Sequence, residues 1–240
     1  MTLGRWRPRE DRGQRSWVQI PPAPPNIQLP AWNCREGLYI PGRGLFFSLQ
    51  PQTPNEQIRE FVTAGHGNLA KVKQMLEEHP ELINATYYWK EGDSETAIQA
   101  AAQVGSASVA EFLLSKGAPL GICTAAMLGR TEEVKRLLDA NPENVRGVGG
   151  HGIPLLPHSV WSGNIDLVRL IFNRGATEGA NLAFQNAVTK NNAEIVQWLL
   201  ENARPDINAK NYQGKTPLTI AKDHKNDKIV EILSERGASE

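Results

Sequence analysis

The side chains that could do chemistry are few in this chain and stand far apart. Neither cysteine, Cys34 or Cys123, lies near a histidine at the spacing of a metal site, and no two histidines form a His-x3-His pair. The five histidines are His66, His79, His151, His158 and His224. Zinc sites in sequence usually show Cys and His at short intervals. The spacing therefore predicts no metal site.

One glycine-rich segment, 147–152, reads GVGGHG. A phosphate-binding loop ends in Lys followed by Ser or Thr and comes after an apolar strand, and this segment has neither feature. The sequence also contains no Gly-x-Ser-x-Gly motif and no nucleophile beside an obvious base. It predicts a flexible turn at 147–152 and a protein that is not an enzyme and uses no cofactor.

Composition narrows the class of protein further. The chain has 40% apolar and 22% charged residues, as soluble globular proteins do, and no apolar run long enough to span a membrane. Residues 1–53 hold seven arginines against three acidic residues, and since the whole chain is neutral, residues 54–240 carry a net −4. A mildly acidic body is not expected to bind nucleic acid. Two distant cysteines predict a reduced, cytoplasmic protein in which Cys123 packs as a small apolar residue.

The elements that must position any site repeat along the chain. Residues 95–120 read ETAIQAAAQVGSASVAEFLLSKGAPL and contain two amphipathic helical patterns separated by Gly105. Thr96 stands where an N-cap accepts bonds from free backbone N–H groups. Gly117 follows the second pattern and predicts a left-handed helix end. The segment therefore predicts two short helices joined by one glycine.

This two-helix frame recurs about six times. The residues predicted to separate the two helices of each unit are Gly67, Gly105, Gly129, Gly163, Asn191 and Lys225. Their successive spacings are 38, 24, 34, 28 and 34 residues, which scatter around the roughly 33 residues of one class of helical repeat. Units of this kind contact only their neighbours in sequence, so they predict a long, rigid surface.

The units resemble ankyrin repeats, whose signature is a Thr-Pro-Leu-His-x-Ala-Ala opening, a Gly-His break and a Leu-Leu-x-x-Gly-Ala close. The best match is KTPLTIA at 215–221, which follows DINAK at 206–210. The histidine of the opening is missing from every unit. The resemblance covers about 55–240 and implies an all-α ankyrin repeat solenoid of stacked helix–turn–helix units with short or missing β-hairpin fingers.

The resemblance also implies where fingers project. The longest link between units contains TYYWKEG at 86–92, where an ankyrin fold would carry a β-hairpin finger. The third unit, which begins at Gly121, and the fifth unit follow their predecessors with almost no intervening residues and are expected to lack a finger. The polar side of the first helix, with Gln57, Arg59 and Glu60, fits a terminal unit.

Ankyrin proteins generally bind partners through finger tips and the concave face, which includes the two residues before each break. Transferred to this sequence, that position predicts partner contacts at Tyr87, Tyr88, Trp89, Gln103, Val104, Met127, Leu128, His151, Trp161, Ser162, Thr189, Lys190, Tyr212, Asp223 and His224. The aromatic members are of the type enriched in binding hot spots. The alternative is that Trp161 and Met127 only pack against adjacent helices. Trp198 is assigned to core packing.

The first 53 residues differ from the rest of the chain. They are rich in arginine and, through Pro54, hold nine of the 16 prolines, so the composition predicts a disordered extension at 1–53 before a repeat domain at 54–240. The segment SWVQIP at 16–21 can be back-translated into the T arm of a transfer RNA gene. One hypothesis is therefore that part of 1–53 is a mis-assigned reading frame with the native start near Leu45 or Leu49. A transit peptide and a polyproline ligand are alternatives.

Taken together, the sequence predicts a non-catalytic, monomeric module that binds an unknown partner protein, with no nucleic-acid or membrane partner. The alternatives are a degenerate array that acts as a regulatory or effector protein on a host or enzyme partner, and a small-molecule-binding enzyme. An enzyme would need a polar, pKa-shifted cluster of side chains.

Overall fold

Six residues with a left-handed backbone conformation each lie between the two helices of a pair. The computed structural model describes residues 6–9, 16–19 and 54–240. The six are the predicted break residues: Gly67, Gly105, Gly129, Gly163, Asn191 and Lys225, with φ between 55° and 129°. Glycine reaches this region without the steric cost that a Cβ brings. The predicted frame of six two-helix units is confirmed.

The units are numbered from one to six along the chain, and each consists of a first and a second helix. The first helices are α1 (Pro54–Gly65), α3 (Ala97–Gln103), α5 (Ile122–Met127), α7 (Leu155–Val160), α9 (Ala180–Thr189) and α11 (Pro217–Asp223). The second helices are α2 (Leu69–Glu78), α4 (Ala107–Ser115), α6 (Thr131–Ala140), α8 (Ile165–Asn173), α10 (Ala193–Asn202) and α12 (Asp227–Glu235). First helices pack against the first helices of the next unit. The helical ankyrin solenoid expected from the resemblance is confirmed.

Local sequence explains the helix ends. The Thr96 hydroxyl accepts a hydrogen bond from the backbone N–H of Gln99, and the Thr96 N–H donates to Gln99 Oε1. Helix α3 therefore begins with a full capping box. Thr216 caps α11 with Pro217 in the first turn. Gly117 has φ 96° after α4, as predicted for a left-handed helix end.

A β-hairpin joins units one and two. Strand β3 (Thr86–Lys90) pairs antiparallel with β4 (Asp93–Thr96), with a bulge between Tyr88 and Lys90 and Gly92 in the turn. The predicted finger is thus present. In the described part of the chain no strand joins α4 to α5 or α8 to α9, which agrees with the finger losses expected for units three and five.

The apolar core runs through the stack as three clusters. Phe61, Val72 and Leu113 lie in the cluster of units one and two, and Phe184 and Leu199 in that of units four to six. The middle cluster includes Cys123, which is buried as predicted. Trp198 packs against the last cluster and meets Phe172 edge to face at 5.2 Å. Its assignment to packing is confirmed.

Contacts between units are not restricted to neighbours, which corrects that expectation. From α7 in unit four, His158 and Trp161 reach the backbone carbonyls of Ala102 and Gln103 in unit two. The first helix of unit three has only six residues, and the side chains of His158 and Trp161 reach past it to unit two.

The glycine-rich segment 147–152 is packed against its surroundings. Gly149 and Gly150 are buried, and Val148 forms an isolated antiparallel bridge with Pro154. A Cβ on Gly150 would lie 2.8 Å from the side-chain carbons Cγ and Cδ of Glu95. Glycine at 150 therefore allows the turn to close against the finger, and the expectation of a loose turn is wrong.

The chain divides into two compact parts, 1–49 and 50–240. In the first, β1 (Trp6–Arg9) pairs antiparallel with β2 (Ser16–Gln19). Apart from these eight, the residues of the extension at 1–53 lie outside the described residues, so the disorder expected there stays a prediction. None of the helices described is both long and apolar enough to cross a membrane.

Candidate functional site

A groove of about 440 Å³ follows the ends of the first helices of units two, four, five and six. Its apolar lining includes Val104, Ile153, Pro157, Trp161 and Leu182. The volume falls in the range of about 300–1,000 Å³ that is usual for ligand clefts. The groove is therefore large enough to hold several side chains of a bound molecule.

Trp161 is fixed at the centre of this groove. Its indole Nε1 donates to the Gln103 carbonyl oxygen at 2.9 Å. Its ring covers Gly105, where a Cβ would lie only 2.7 Å from Trp161 Cδ2. The half-buried ring therefore packs against unit two and also lines the groove, while its role as a partner contact stays a prediction.

Amides are the largest group among the polar lining residues. Gln185 Nε2 donates to the Ala209 carbonyl at 2.8 Å, and Asn186 Nδ2 donates to the Pro157 carbonyl at 3.1 Å. These bonds fix both side chains while their amide oxygens have no partner among the described residues. The charged lining residues, Lys215 and Asp223, pair with each other at 2.7 Å. The groove thus offers hydrogen-bond acceptors and no unpaired charge.

The residues predicted as partner contacts divide into three groups. Those that line the groove are Gln103, Val104, Trp161, Thr189, Tyr212, Asp223 and His224. Ser162 and Lys190 stand next to lining residues but do not line it, and Leu128 is half-buried. Met127 is only 3% exposed and lies in the core. This burial favours the alternative that Met127 packs against adjacent helices.

The finger separates the three predicted aromatic residues. Tyr88 is 70% exposed, whereas Tyr87 and Trp89 lie on the opposite face of the strand and are half-buried. Tyr87 meets Trp89 edge to face at 4.8 Å, and Trp89 stacks at a tilt on His151 at 5.8 Å. Of these three side chains, Tyr88 is the one free to meet a partner.

A second cluster lies where the finger meets units one and four. His66 Nε2 stands 3.6 Å from Glu95 Oε2, and His151 Nε2 stands 3.4 Å from the same oxygen. The three atoms all lie within 4.8 Å of one another. His66 follows α1, Glu95 lies on β4, and His151 lies in the turn before α7 with a left-handed φ of 56°. These residues could hold a metal ion.

Two outer acceptors orient the imidazoles of this cluster. His151 Nδ1 lies 2.8 Å from Asp93 Oδ1, and His66 Nδ1 lies 3.3 Å from the Thr63 carbonyl oxygen. Both rings therefore direct Nδ1 away from Glu95 and Nε2 towards it. His66 Nε2 also lies 3.2 Å from Gln103 Oε1.

Glu95 is fully buried, and neither of its carboxylate oxygens has a hydrogen-bond partner in the described structure. Burial raises the pKa of Glu95 above its usual range, while His66, His151 and the Trp89 indole oppose that rise. Trp89 Nε1 is also buried without a bond of ordinary geometry. A buried carboxylate in this state is a strong acceptor for a proton or another cation.

His158, on the groove side of the same region, is also buried. Its Nδ1 bonds the Ala102 carbonyl at 3.0 Å, and its Nε2 has no partner among the described residues. Burial lowers the pKa of His158, although the bond to Ala102 opposes this. The side chain is therefore neutral at physiological pH and acts as a link between units two and four.

Sequence reasoning missed His66 and Glu95 and placed His151 only as a finger residue. The absence of short His spacing does not exclude a metal site here, because the three residues are brought together across 86 positions of chain. The one signal available was the rare placement of a histidine, His151, between glycines in a turn. Such a placement indicates an unusual backbone conformation at His151 and does not indicate a metal ligand.

Comparison with known proteins gives a consistent family assignment. Residues 159–240 match the family model for ankyrin repeats in three copies, and residues 93–125 match the model for a single ankyrin repeat. A fowlpox virus protein named as an ankyrin repeat protein is 31% identical over 116 residues, or 46% of this chain. The match spans 26% of that relative, so the chain covers about a quarter of its length.

Proposed function

Because this chain is an ankyrin repeat protein, a class whose repeats are generally protein-interaction modules, we propose that its groove binds an extended, uncharged segment of a partner protein. The observation that carries the proposal is the convergence of seven predicted contact residues on one groove. These seven residues belong to four units, and they line the same groove only because the units stack.

The chemistry of the lining indicates the kind of segment. The free amide oxygens of Gln185 and Asn186 suit backbone N–H groups of an extended chain, since each can accept a bond without moving. The faces of Val104 and Trp161 suit one aliphatic or aromatic anchor. Lys215 and Asp223 already satisfy each other, so a charged segment would have to break that pair. We therefore favour an uncharged occupant.

Rigid lining residues support tight recognition. Trp161 is held by its bond to Gln103 and by its contact over Gly105, so little side-chain entropy is lost when a partner binds. Tyr212, which is 95% exposed, also lines the groove and would contact a bound segment.

A display library of random peptides tests this proposal. Peptides enriched on the full chain should lose binding to Val104→Glu and to Tyr212→Ala, because each change removes an apolar contact at the groove. Val148→Glu is the matched control, since Val148 is also an exposed valine, at 56%, but lies outside the groove. Enriched peptides that bind all variants equally would refute the groove as the site.

A small-molecule site is the second candidate, because the groove volume also suits a drug-sized ligand. A thermal-shift screen of the full chain against nucleotides and metabolites separates the two. A ligand that raises the melting temperature of the wild-type protein and of Val148→Glu, but not of Val104→Glu, would favour this candidate over a peptide.

The proposal includes a monomeric, cytoplasmic and non-catalytic protein that binds no nucleic acid. The buried free thiol of Cys123, whose pKa burial raises to about 12, suits a reducing compartment. The net charge of −4 over 54–240 gives no attraction to phosphate. Light scattering and anisotropy with labelled duplex DNA test the first and last of these points.

A further inference from the structure

We propose that His66, Glu95 and His151 form a Zn²⁺ site, with His66 Nε2, His151 Nε2 and Glu95 Oε2 as ligands. This site adjoins the groove at Gln103, whose Oε1 lies 3.2 Å from His66 Nε2, but it does not depend on how the groove is used. It lies where the finger, the end of α1 and the turn before α7 meet.

The separations of the ligand atoms fit a tetrahedral ion. With bonds of about 2.0–2.1 Å to nitrogen and oxygen, tetrahedral ligands stand about 3.3–3.4 Å apart. Glu95 Oε2 lies 3.4 Å from His151 Nε2 and 3.6 Å from His66 Nε2. The two nitrogens lie within 4.8 Å of each other, so small rotations of the imidazoles complete the geometry.

The hydrogen bonds of the imidazoles favour a metal over a simple polar cluster. Each ring stands between an outer acceptor at Nδ1 and Glu95 at Nε2. A neutral imidazole has one N–H and can satisfy only one of these two acceptors. With the proton on Nδ1, donated to Asp93 or the Thr63 carbonyl, the Nε2 lone pairs of both rings are available to an ion beside Glu95, and His66 Nε2 would exchange its 3.2 Å contact with Gln103 Oε1 for the ion. This pattern of an outer acceptor behind each histidine is typical of zinc ligands.

Glu95 supplies the independent observation. It is 0% exposed, neither oxygen has a hydrogen-bond partner among the described residues, and its carboxylate is aimed at the two imidazoles. Gly150 packs so closely against it that no side chain could stand in that place. A buried carboxylate without a hydrogen bond of ordinary geometry is strongly unfavourable unless a cation compensates its charge.

Three protein ligands leave a fourth position for water. The side chains of His66 and His151 are 30% and 31% exposed, so this position faces solvent. The ion would join three segments that are far apart in sequence and would hold the finger against unit four. Its role is to fix the finger.

The test uses the untagged full chain, freed of metal with a chelator and titrated with ZnCl₂ by equilibrium dialysis. We expect one Zn²⁺ per chain. Glu95→Gln and His151→Asn, each checked by circular dichroism, should weaken binding by more than the roughly 10- to 100-fold that loss of an outer partner costs. Asn is chosen at 151 because it tolerates left-handed backbone. Asp93→Asn should fall within that 10- to 100-fold range.

Glu81→Gln is the matched control, because Glu81 also stands beside a histidine, His79 at 3.3 Å, but on the exposed surface. It should bind Zn²⁺ as the wild-type protein does. Cobalt(II) in place of zinc should give the intense visible absorption of a tetrahedral site. Hydrogen exchange at 86–96 should slow on addition of Zn²⁺ in the wild-type protein and stay unchanged in Glu95→Gln.

The proposal is overturned if the wild-type chain binds no Zn²⁺ at micromolar concentration, or if Glu95→Gln and His151→Asn bind it as tightly as wild type does. Either result would mean that hydrogen bonds between imidazoles and carboxylates alone account for the cluster. Because the two variants are made separately, one folded variant is enough to decide.

Discussion

Units one to four and units five and six use different means to hold the same fold. In the last two units the buried polar side chains are bonded. Thr216 caps α11, and Asn226 donates to the Val188 carbonyl at 3.1 Å. In the first four units, Glu95 and His158 are buried with unpaired polar atoms, and α7 reaches past a unit to α3. Departures from a regular repeat and unpaired buried groups thus coincide, which is expected where a region carries function.

The family-model matches do not follow this division. The match at 159–240 begins within α7 of unit four, and the match at 93–125 holds the helices of unit two and the start of unit three. The irregular region shows how a shortened unit can bring distant residues together.

The largest expected effect comes from truncation of the two buried phenylalanines. Phe184→Ala in unit five should lower the free energy of unfolding by about 3–5 kcal/mol, since its ring is fully buried with neighbours on both sides. Phe61→Ala should cost less, because unit one is terminal and can unfold alone. Urea unfolding followed by circular dichroism measures both. Equal losses would show that the whole array unfolds as one cooperative body.

Gly150→Ala tests the close packing of the irregular region. The added Cβ would overlap Glu95, so we expect a loss of about 1–3 kcal/mol. Gly121→Ala is the control, because no atom lies within 4 Å of the position of its Cβ, and as a change at the N-cap of α5 it should cost no more than about 1 kcal/mol. Similar melting temperatures for the two variants would mean that 147–152 does not press against the finger.

His158→Asn tests the buried link between units two and four through pH. Because burial lowers the pKa of His158 in the folded state, the unfolded state binds the proton first on acidification. Stability should therefore fall as the pH drops below about 6.5, by up to about 1.4 kcal/mol per pH unit. Asn keeps a donor for the Ala102 carbonyl and cannot titrate. The wild-type protein and the variant should diverge below this pH, and parallel curves would contradict the prediction.

The smallest effect is expected at the surface of the regular region. Lys215→Ala removes the pair with Asp223, in which both side chains are nearly half-exposed, so the free energy of unfolding should change by no more than about 1 kcal/mol. Thermal unfolding at low and high salt measures it. A larger loss would mean that the groove wall depends on this pair.

The sequence predicted what local patterns determine. The helix breaks, the cap at Thr96, the finger at 86–92 and the burial of Cys123 each depend on residues close together in the chain. The groove could be predicted in part, because residues before each break share one side of a stack.

The cluster of His66, Glu95 and His151 could not be predicted in the same way. Their meeting depends on how each unit is rotated against the next and on the six-residue length of α5. The periodicity of apolar residues within a unit predicts neither the rotation between units nor the length of α5. The burial of Met127 likewise depends on packing between units, in the core cluster that it shares with units one and two.

The bonds from His158 and Trp161 to unit two have a mechanical consequence. An array with contacts between neighbours alone can be peeled from its ends one repeat at a time under tension. Here, pulling from the carboxyl end should unfold units six and five one at a time. The bonds from unit four to unit two should then make units four, three and two unfold in a single step. In a force-extension trace the molecule would give small steps followed by one long one.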